Sequence, residues 1–463
     1  MNGKSNGGTR SGIGRRRGAG AGGKPPQVSV IVIAVSFALT FIGIFFFLGY
    51  MTFSSSSTPK NIQGLEDRGL EIMSKEFGKM AAIIRGDMHL VSISTFGMVS
   101  NEESIDKTDN GVKYQGVHGS FCKLDWEQYK NDPPSLPMFK FLVSASGCDK
   151  KENVVTMDLA TVVEKTREYD KVREAKGQIG DGLHVIPPTG FIFHESRVGS
   201  TLVSNSLTAM DPAGHRVYSE SHPINDALKA CEGLLSTCDL QTNVGLFQDV
   251  VYLMGRTNAP QEKRMFFKVS SVGTKKINIM RRAFPTVPWI FVYRSPVQTM
   301  MSHLDPAKLE KASVRGGTPN AVCLRAKKHP PEDLVQLVYD FDEEIDELSN
   351  EQFCAAHLAT LCLSALRQLG DAKGKGVSVD YDGLVEKLAQ SIIPNHFGVN
   401  VDEAAQQRIL DVAKFYSKSK TGIKDWVEDS REKDIRATPE IREASEIFLL
   451  DLYAELKKYN IKQ

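Results

Sequence analysis

Four residues in FIFHESRVGSTLVSNSL, residues 191–207, are of types that hold oxyanions. Arg197 brings a guanidinium fork, Gly199 leaves the backbone uncovered, and Ser200 and Thr201 bring hydroxyls. They stand where an apolar run gives way to a helical pattern, so the turn also offers free backbone N–H groups and the positive end of a helix dipole. Taken alone, these residues make a plain corner as readily as a phosphate cradle. They do not make a nucleoside-triphosphatase loop, because GxxxxGK[ST] needs a lysine where Gly199 stands. A second stretch, WIFVYRSPVQTMMSHL (289–304), ends an apolar run at Arg294 and places Ser302 eight residues on. The bland reading of that pair is a strand-end salt bridge and a helix-surface hydroxyl. There is no HExxH or CxxC, and the ten histidines have no metal-ligand spacing.

The elements that must position these residues alternate. Strands are predicted at Phe191–His194, Arg216–Ser219, Met265–Ser270, 288–293 and 376–381. Helices are predicted at Ser200–Met210, Ala227–Leu235, Thr274–Ala283, Pro296–His303, 353–369, from Asp382, and 439–458. Ser295 and Pro296 are good first residues for their helix. Short apolar strands separated by helices predict an α/β fold, three layers with a central parallel sheet covered on both faces. Ligands of such sheets bind beyond the carboxyl ends of the strands. Upstream, short β-like runs at His89–Thr95 and Phe139–Ser144 and a polar helix around Met157–Lys176 make a region of unassigned role.

SRVGSTL, FVYRSPVQTMMS, VDYDGL and KTGIKDW (420–426) together resemble the sulfotransferases that use 3′-phosphoadenosine 5′-phosphosulfate (PAPS). The resemblance covers roughly residues 188–430, and the Arg-to-Ser spacing is its most specific part. It implies a P-loop-type fold. Arg197, Gly199, Ser200 and Thr201 would bind the 5′-phosphosulfate, and Arg294 and Ser302 the 3′-phosphate. Lys420, Gly422 and Trp426 would belong to a loop closing over the nucleotide, and VDYDGL would be a structural junction. Many cytosolic members carry Lys-x-His on the third strand; this chain has Lys268-Val269-Ser270, keeping the lysine and lacking the histidine. Membrane-anchored members use a Glu after the second strand, which gives Glu220 as base with His222 second. Lys268 contacts the transferring group or flanks the pocket, and His194 and Glu195 shape the loop.

The first 27 residues carry Lys4, Arg10, Arg15, Arg16, Arg17 and Lys24 and no acid. Val28–Met51 follows without a charge, and its 24 residues reach about 36 Å as a helix, enough to cross a bilayer. A basic flank and a long apolar run predict a single-pass type II signal anchor, with the bulk of the chain on the lumenal side. Domains are accordingly expected as tail 1–27, anchor 28–51, stem 52–87, accessory region 88–180 and catalytic domain 185–463. Net charge is +1, but without the tail cations and Lys60 there are 50 basic against 56 acidic residues. A mildly acidic body makes nucleic acid a poor partner. It also disfavours a long polyanionic glycan unless Lys275, Lys276, Arg281 and Arg282 form a local basic groove. Seven cysteines suit an oxidising lumen; Cys122/Cys148 and Cys231/Cys238 are easy pairs, whereas Cys354 and Cys362 lie too far apart along one helix. The absence of any Asn-x-Ser/Thr sequon weighs slightly the other way.

The expectation is a Golgi-membrane sulfotransferase needing no metal, with PAPS as donor and a glycan, tyrosyl protein or small alcohol as acceptor. Its rivals are a kinase-like phosphotransferase and a catalytically inactive nucleotide-binding module.

Overall fold

The structure, a computed structural model, describes residues 77–100, 111–177, 182–232, 238–306, 321–371, 375–415 and 429–461. The chain divides into Met1–Ile72 and Met73–Gln463, and every described residue falls in the second unit. The apolar run Val28–Met51, expected to be an anchor, and the residues Lys420, Gly422 and Trp426 lie outside the described residues. Among the described residues, no helix is long and apolar enough to cross a membrane.

Three antiparallel strands come first: β1 (His89–Ser94), β2 (His118–Cys122) and β3 (Val155–Asp158), in the order β1-β2-β3. Helix α1 (Leu159–Ala175) follows, capped by the Asp158 carboxylate accepting from the Thr161 N–H at 2.8 Å. The expected strand at Phe139–Ser144 is instead a helix, Phe139–Ala145. Its buried residues are Phe139 and Leu142, three apart on one helical face, so the apolar run satisfies a helix as well as a strand.

The main sheet contains β4 (Pro188–His194), β5 (His215–Ser219), β6 (Arg264–Lys268), β7 (Trp289–Tyr293) and β8 (Gly376–Asp380). Their order across the sheet is β8-β7-β4-β6-β5, and every pairing is parallel. Strands β5 and β7 are buried at every position, as a sheet covered on both faces requires. Side chains alternate cleanly. Phe191, Phe193, Tyr218, Phe267, Trp289 and Phe291 enter one core with α4 (Leu240–Gly255) and α5 (Ile277–Ala283). Ile192, Val217, Phe266, Ile290, Val292 and Val379 enter the other with α2 (Ser200–Met210). On the first face Phe191, Phe267 and Tyr218 stack across three strands, with centroids 5.3 and 5.2 Å apart. Such aromatic pairs contribute about 1 kcal/mol each beyond area burial.

Residues of the β1–β3 region share the first core: Leu90, Tyr114 and Phe121 pack in one cluster with Phe191 and Phe193. Helix α4 was not foreseen. Buried polar residues (Thr242, Asn243, Asp249) interrupt its apolar pattern, and each has an internal partner rather than solvent. The helical stretch expected at 227–235 starts earlier, as α3 (His222–Leu228) with Pro223 in its first turn. Helix α6 (Pro296–Leu304) begins where Ser295 and Pro296 predict. Helix α7 (Asn350–Leu369) is closed by a reciprocal cap between Ser349 and Gln352. Helices α8 (Glu403–Ala413), α9 (Ser430–Arg436) and α10 (Pro439–Lys457) complete the described chain. Disulfides join Cys122–Cys148, Cys231–Cys238 and Cys323–Cys354, leaving Cys362 buried and unbridged.

Candidate active site

From β4 the chain passes to the edge strand β5, returns to β6 between them, and then crosses to β7 and β8 on the other side of β4. The strand order therefore reverses at β4, and the crevice beyond its carboxyl end is where ligands of open parallel sheets sit. The residues predicted to bind oxyanions flank that point. The loop Glu195–Gly199 leaves β4, and Arg294 follows β7, the adjacent strand.

The loop is conformationally costly. Ser196, Arg197 and Gly199 all have positive φ, at 149°, 59° and 83°. A non-glycine residue so placed costs about 1–3 kcal/mol, which clusters at functional turns. Gly199 also stands close against an aromatic side chain. A Cβ there would lie 2.5 Å from the Tyr381 ring, so the glycine makes room for an aromatic neighbour. Ser200 and Thr201 open α2 and are buried, whereas Arg197 is exposed. The Thr201 Oγ1 atom is buried without a hydrogen-bond partner among the described residues.

Arg294 is 4% exposed, with its guanidinium stacked and hydrogen-bonded to neighbouring side chains. The plane lies over the Tyr381 ring, 4.2 Å from the centroid. Its Nε donates to Gln298 Oε1 at 2.8 Å, and Nη2 donates to Ser430 Oγ at 2.6 Å and Asp429 Oδ1 at 3.2 Å. Ser302 lies on the same helix as Gln298, but its hydroxyl donates to the Gln298 carbonyl at 2.8 Å. Tyr381 thus lies against both elements expected to bind anions, beside Gly199 and stacked on Arg294, although its sequence context reads as purely structural. Gln298, Asp429 and Ser430 were not foreseen either; nothing in their spacing marks them.

Across the sheet, Glu220, Lys268 and His194 converge. Lys268 ends β6, is 1% exposed, and is ion-paired with the Glu220 carboxylate. Glu220 follows β5 in a left-handed conformation (φ 52°), with its N–H donating to the Lys268 carbonyl at 2.7 Å. His194 Nε2 stands 3.8 Å from Glu220 Oε1, near the carboxylate but beyond hydrogen-bond distance. His222 is exposed at the start of α3. Ser219 and Ser221, on either side of Glu220, have buried hydroxyls without partners among the described residues. At about 4.8 Å per strand, three steps from β5 to β7 set Glu220 roughly 14 Å from the Arg294 strand end.

Glu195 is buried between these groups. It lines a small cavity with Tyr293, Arg294, Cys362 and Tyr453. Burial pushes its carboxyl up to about 8, against the backbone N–H of Arg294, which favours the charged form; the Asp380 charge adds to the rise. The cations proposed as a polyanion groove are largely neutralised. Lys275 pairs with Asp333 at 2.6 Å, Lys276 with Glu232, and Arg281 with Asp371 at 2.6 Å. Among the described residues a single His/Cys cluster stands close enough for a metal, His303 with Cys323 and Cys354, and both of its sulfurs are in a disulfide.

No protein-family model matches the chain, and no curated protein is detectably similar. Solved structures that it resembles are sulfotransferases. One from Alicyclobacillus acidocaldarius has 14% identity and a TM-score of 0.32, covering 59% of this chain and 96% of its own. One from Mycobacterium avium has 10% identity and a TM-score of 0.33, covering 66% and 84%. The sulfotransferase domain of the curacin biosynthetic pathway has 12% identity and a TM-score of 0.27, covering 57% and 98%. Likenesses this slight decide neither activity nor substrate, which rest on the site itself.

Proposed function

We propose that the chain is a sulfotransferase that takes a sulfuryl group from PAPS and passes it to a hydroxyl of a glycan, tyrosyl protein or small alcohol. The observation that carries this reading is the Glu220–Lys268 pair on the same sheet edge as the unpartnered hydroxyls of Thr201, Ser219 and Ser221. Buried hydroxyls without partners are costly and are suited to an oxyanion ligand. The donor, when bound, supplies an activated sulfuryl group on a phosphate leaving group.

The residues divide the work as follows. Arg294, held flat by Tyr381, receives the 3′-phosphate, and Thr201 with Ser200 and Arg197 receives the 5′ end. Glu220 accepts the proton that the acceptor hydroxyl loses as its oxygen attacks sulfur. The Lys268 ammonium lies against Glu220 and faces the charge that develops on the departing oxygen. His194, close to the Glu220 carboxylate, orients it.

The compartment follows from other features. Val28–Met51 and its basic flank support a single-pass type II protein of the Golgi membrane, with the bilayer as partner. Three disulfides suit the lumenal side of that membrane. Neutralised surface cations favour a neutral acceptor over a polyanion.

The test offers labelled PAPS and a panel of acceptors to the full-length protein and to Glu220→Gln. Transfer should fall by about 10²–10⁴ in the variant. Binding of adenosine 3′,5′-bisphosphate should persist. Undiminished transfer by Glu220→Gln removes Glu220 as base. Magnesium-dependent turnover of ATP, or bisphosphate binding without transfer to any acceptor, would favour the phosphotransferase or inactive-module readings instead.

A further inference from the structure

The Arg294 guanidinium, assigned above to a phosphate, already holds an anion of the chain's own. Asp429 Oδ1 accepts from its Nη2 at 3.2 Å, and the same oxygen lies 2.8 Å from Lys433 Nζ. Ser430 Oγ accepts from the same Nη2 at 2.6 Å. The two partners differ in burial: the Arg294 side chain is 4% exposed and that of Asp429 is 41% exposed. The cation is fixed in the fold, and the carboxylate reaches it from the rim.

The element that carries Asp429 is bound almost wholly by polar contacts. Helix α9 has no buried residue, and its apolar Ile435 is 71% exposed. Besides Asp429 and Ser430, Asp434 accepts from Gln298 Nε2 at 2.9 Å, and Arg436 pairs with Asp305 at 2.6 Å. The segment buries no apolar side chain, so its release draws nothing out of the hydrophobic core, and the cations that Asp429 leaves, Arg294 and Lys433, pass to a ligand of higher charge. A phosphate monoester is such a ligand for an arginine fork, carrying nearly twice the charge of a carboxylate.

From this geometry we infer that Asp429 is a resident competitor for the phosphate at Arg294, and that the Asp429–Asp434 segment is displaced when the nucleotide binds. Lys433 then exchanges the Asp429 carboxylate for the incoming phosphate. The inference rests on the nucleotide reading above and adds to it a residue that sets how tightly the 3′-phosphate is held. Asp429 lowers affinity because its charge must leave Arg294 before the phosphate arrives, and the apparent affinity is the intrinsic one multiplied by the fraction of molecules in which the site is open.

Calorimetry on the full-length protein separates the possibilities, using adenosine 3′,5′-bisphosphate and adenosine 5′-monophosphate as probes. Asp429→Asn keeps the shape and an acceptor oxygen but removes the charge. It should bind the bisphosphate about tenfold more tightly than the wild type and leave the monophosphate unchanged. Asp429→Glu, which restores the charge, should bind the bisphosphate like the wild type. Equal or weaker bisphosphate binding by Asp429→Asn, with wild-type binding intact, overturns the competitor role and makes Asp429 a brace. An equal gain for both nucleotides overturns the pairing of Arg294 with the 3′-phosphate. If neither wild type nor variant takes up the bisphosphate, the nucleotide reading falls, and the competitor role falls with it.

Discussion

Glu195 shows how one residue's chemistry is set by where its strand ends. It sits next to the anion loop, sealed from solvent, with Asp380 adding repulsion. Its carboxyl therefore holds a proton up to about pH 8, where an ordinary glutamate releases one near 4.5. The folded form binds a proton that the unfolded chain has lost, so stability falls as pH rises between those two values and is undiminished below them. Glu195→Gln, neutral throughout, escapes that loss. Its advantage over the wild type should open from about pH 5, reach on the order of 2–3 kcal/mol at pH 7, and level off above 8. Denaturant titrations across that range check it; wild-type and variant curves that stay parallel would mean that Glu195 is ionised in the fold.

At the scale of elements, helices α1 and α4 are joined by a charged fork rather than by apolar packing alone. Arg256, following α4 and buried, donates through both terminal nitrogens to the Asp170 carboxylate of α1, each at 2.7 Å. The Tyr252 hydroxyl adds a third bond to Asp170 at 2.6 Å. Arg256 also donates to the Ile84 carbonyl, tying in the helical segment 77–84. Removing one partner of such a pair leaves a desolvated charge. Asp170→Ala should cost about 3 kcal/mol, and adding Arg256→Met to it should recover part of that. Urea denaturation reads both, and a single variant within about 0.5 kcal/mol of wild type would show that water reaches the arginine.

At the scale of the whole molecule, the disulfides tie loops to a core that the sheet builds. Cys323–Cys354 closes a loop of 31 residues and fastens α7 to the segment Val322–Ala326. A loop of that length restricts the unfolded chain by about 3 kcal/mol in the chain-entropy account. Replacing both cysteines with serine should lower stability by that order in denaturant titration, whereas loss of well under about 1 kcal/mol would mean that the ends are held without the bridge. Native Cys362, buried in the first core, should resist alkylation until the chain unfolds.

The sequence by itself determined the sheet and the places where its loops carry charge. Short apolar runs alternating with helical stretches are the pattern of a covered parallel sheet, so Phe191–His194 and 289–293 were legible from composition and length. The positions of Arg197, Ser200, Thr201, Glu220, Lys268 and Arg294 at strand ends followed with them. Two elements resisted. Phe139–Ala145 shows equal apolar content for either period, and α4 hides its face behind polar residues that find partners inside the fold.

Tertiary structure alone decided the strand order and everything that depends on it. That β6 lies between β4 and β5 is what brings Lys268 onto Glu220 and sets His194 3.8 Å from the same carboxylate, because such distant stretches of chain meet only through register. Tyr381 against Gly199, and Asp429 on Arg294, are long-range contacts of the same kind. A chain's local pattern sets which face of an element is buried, whereas the pairing of distant elements is set by the packing of the finished core.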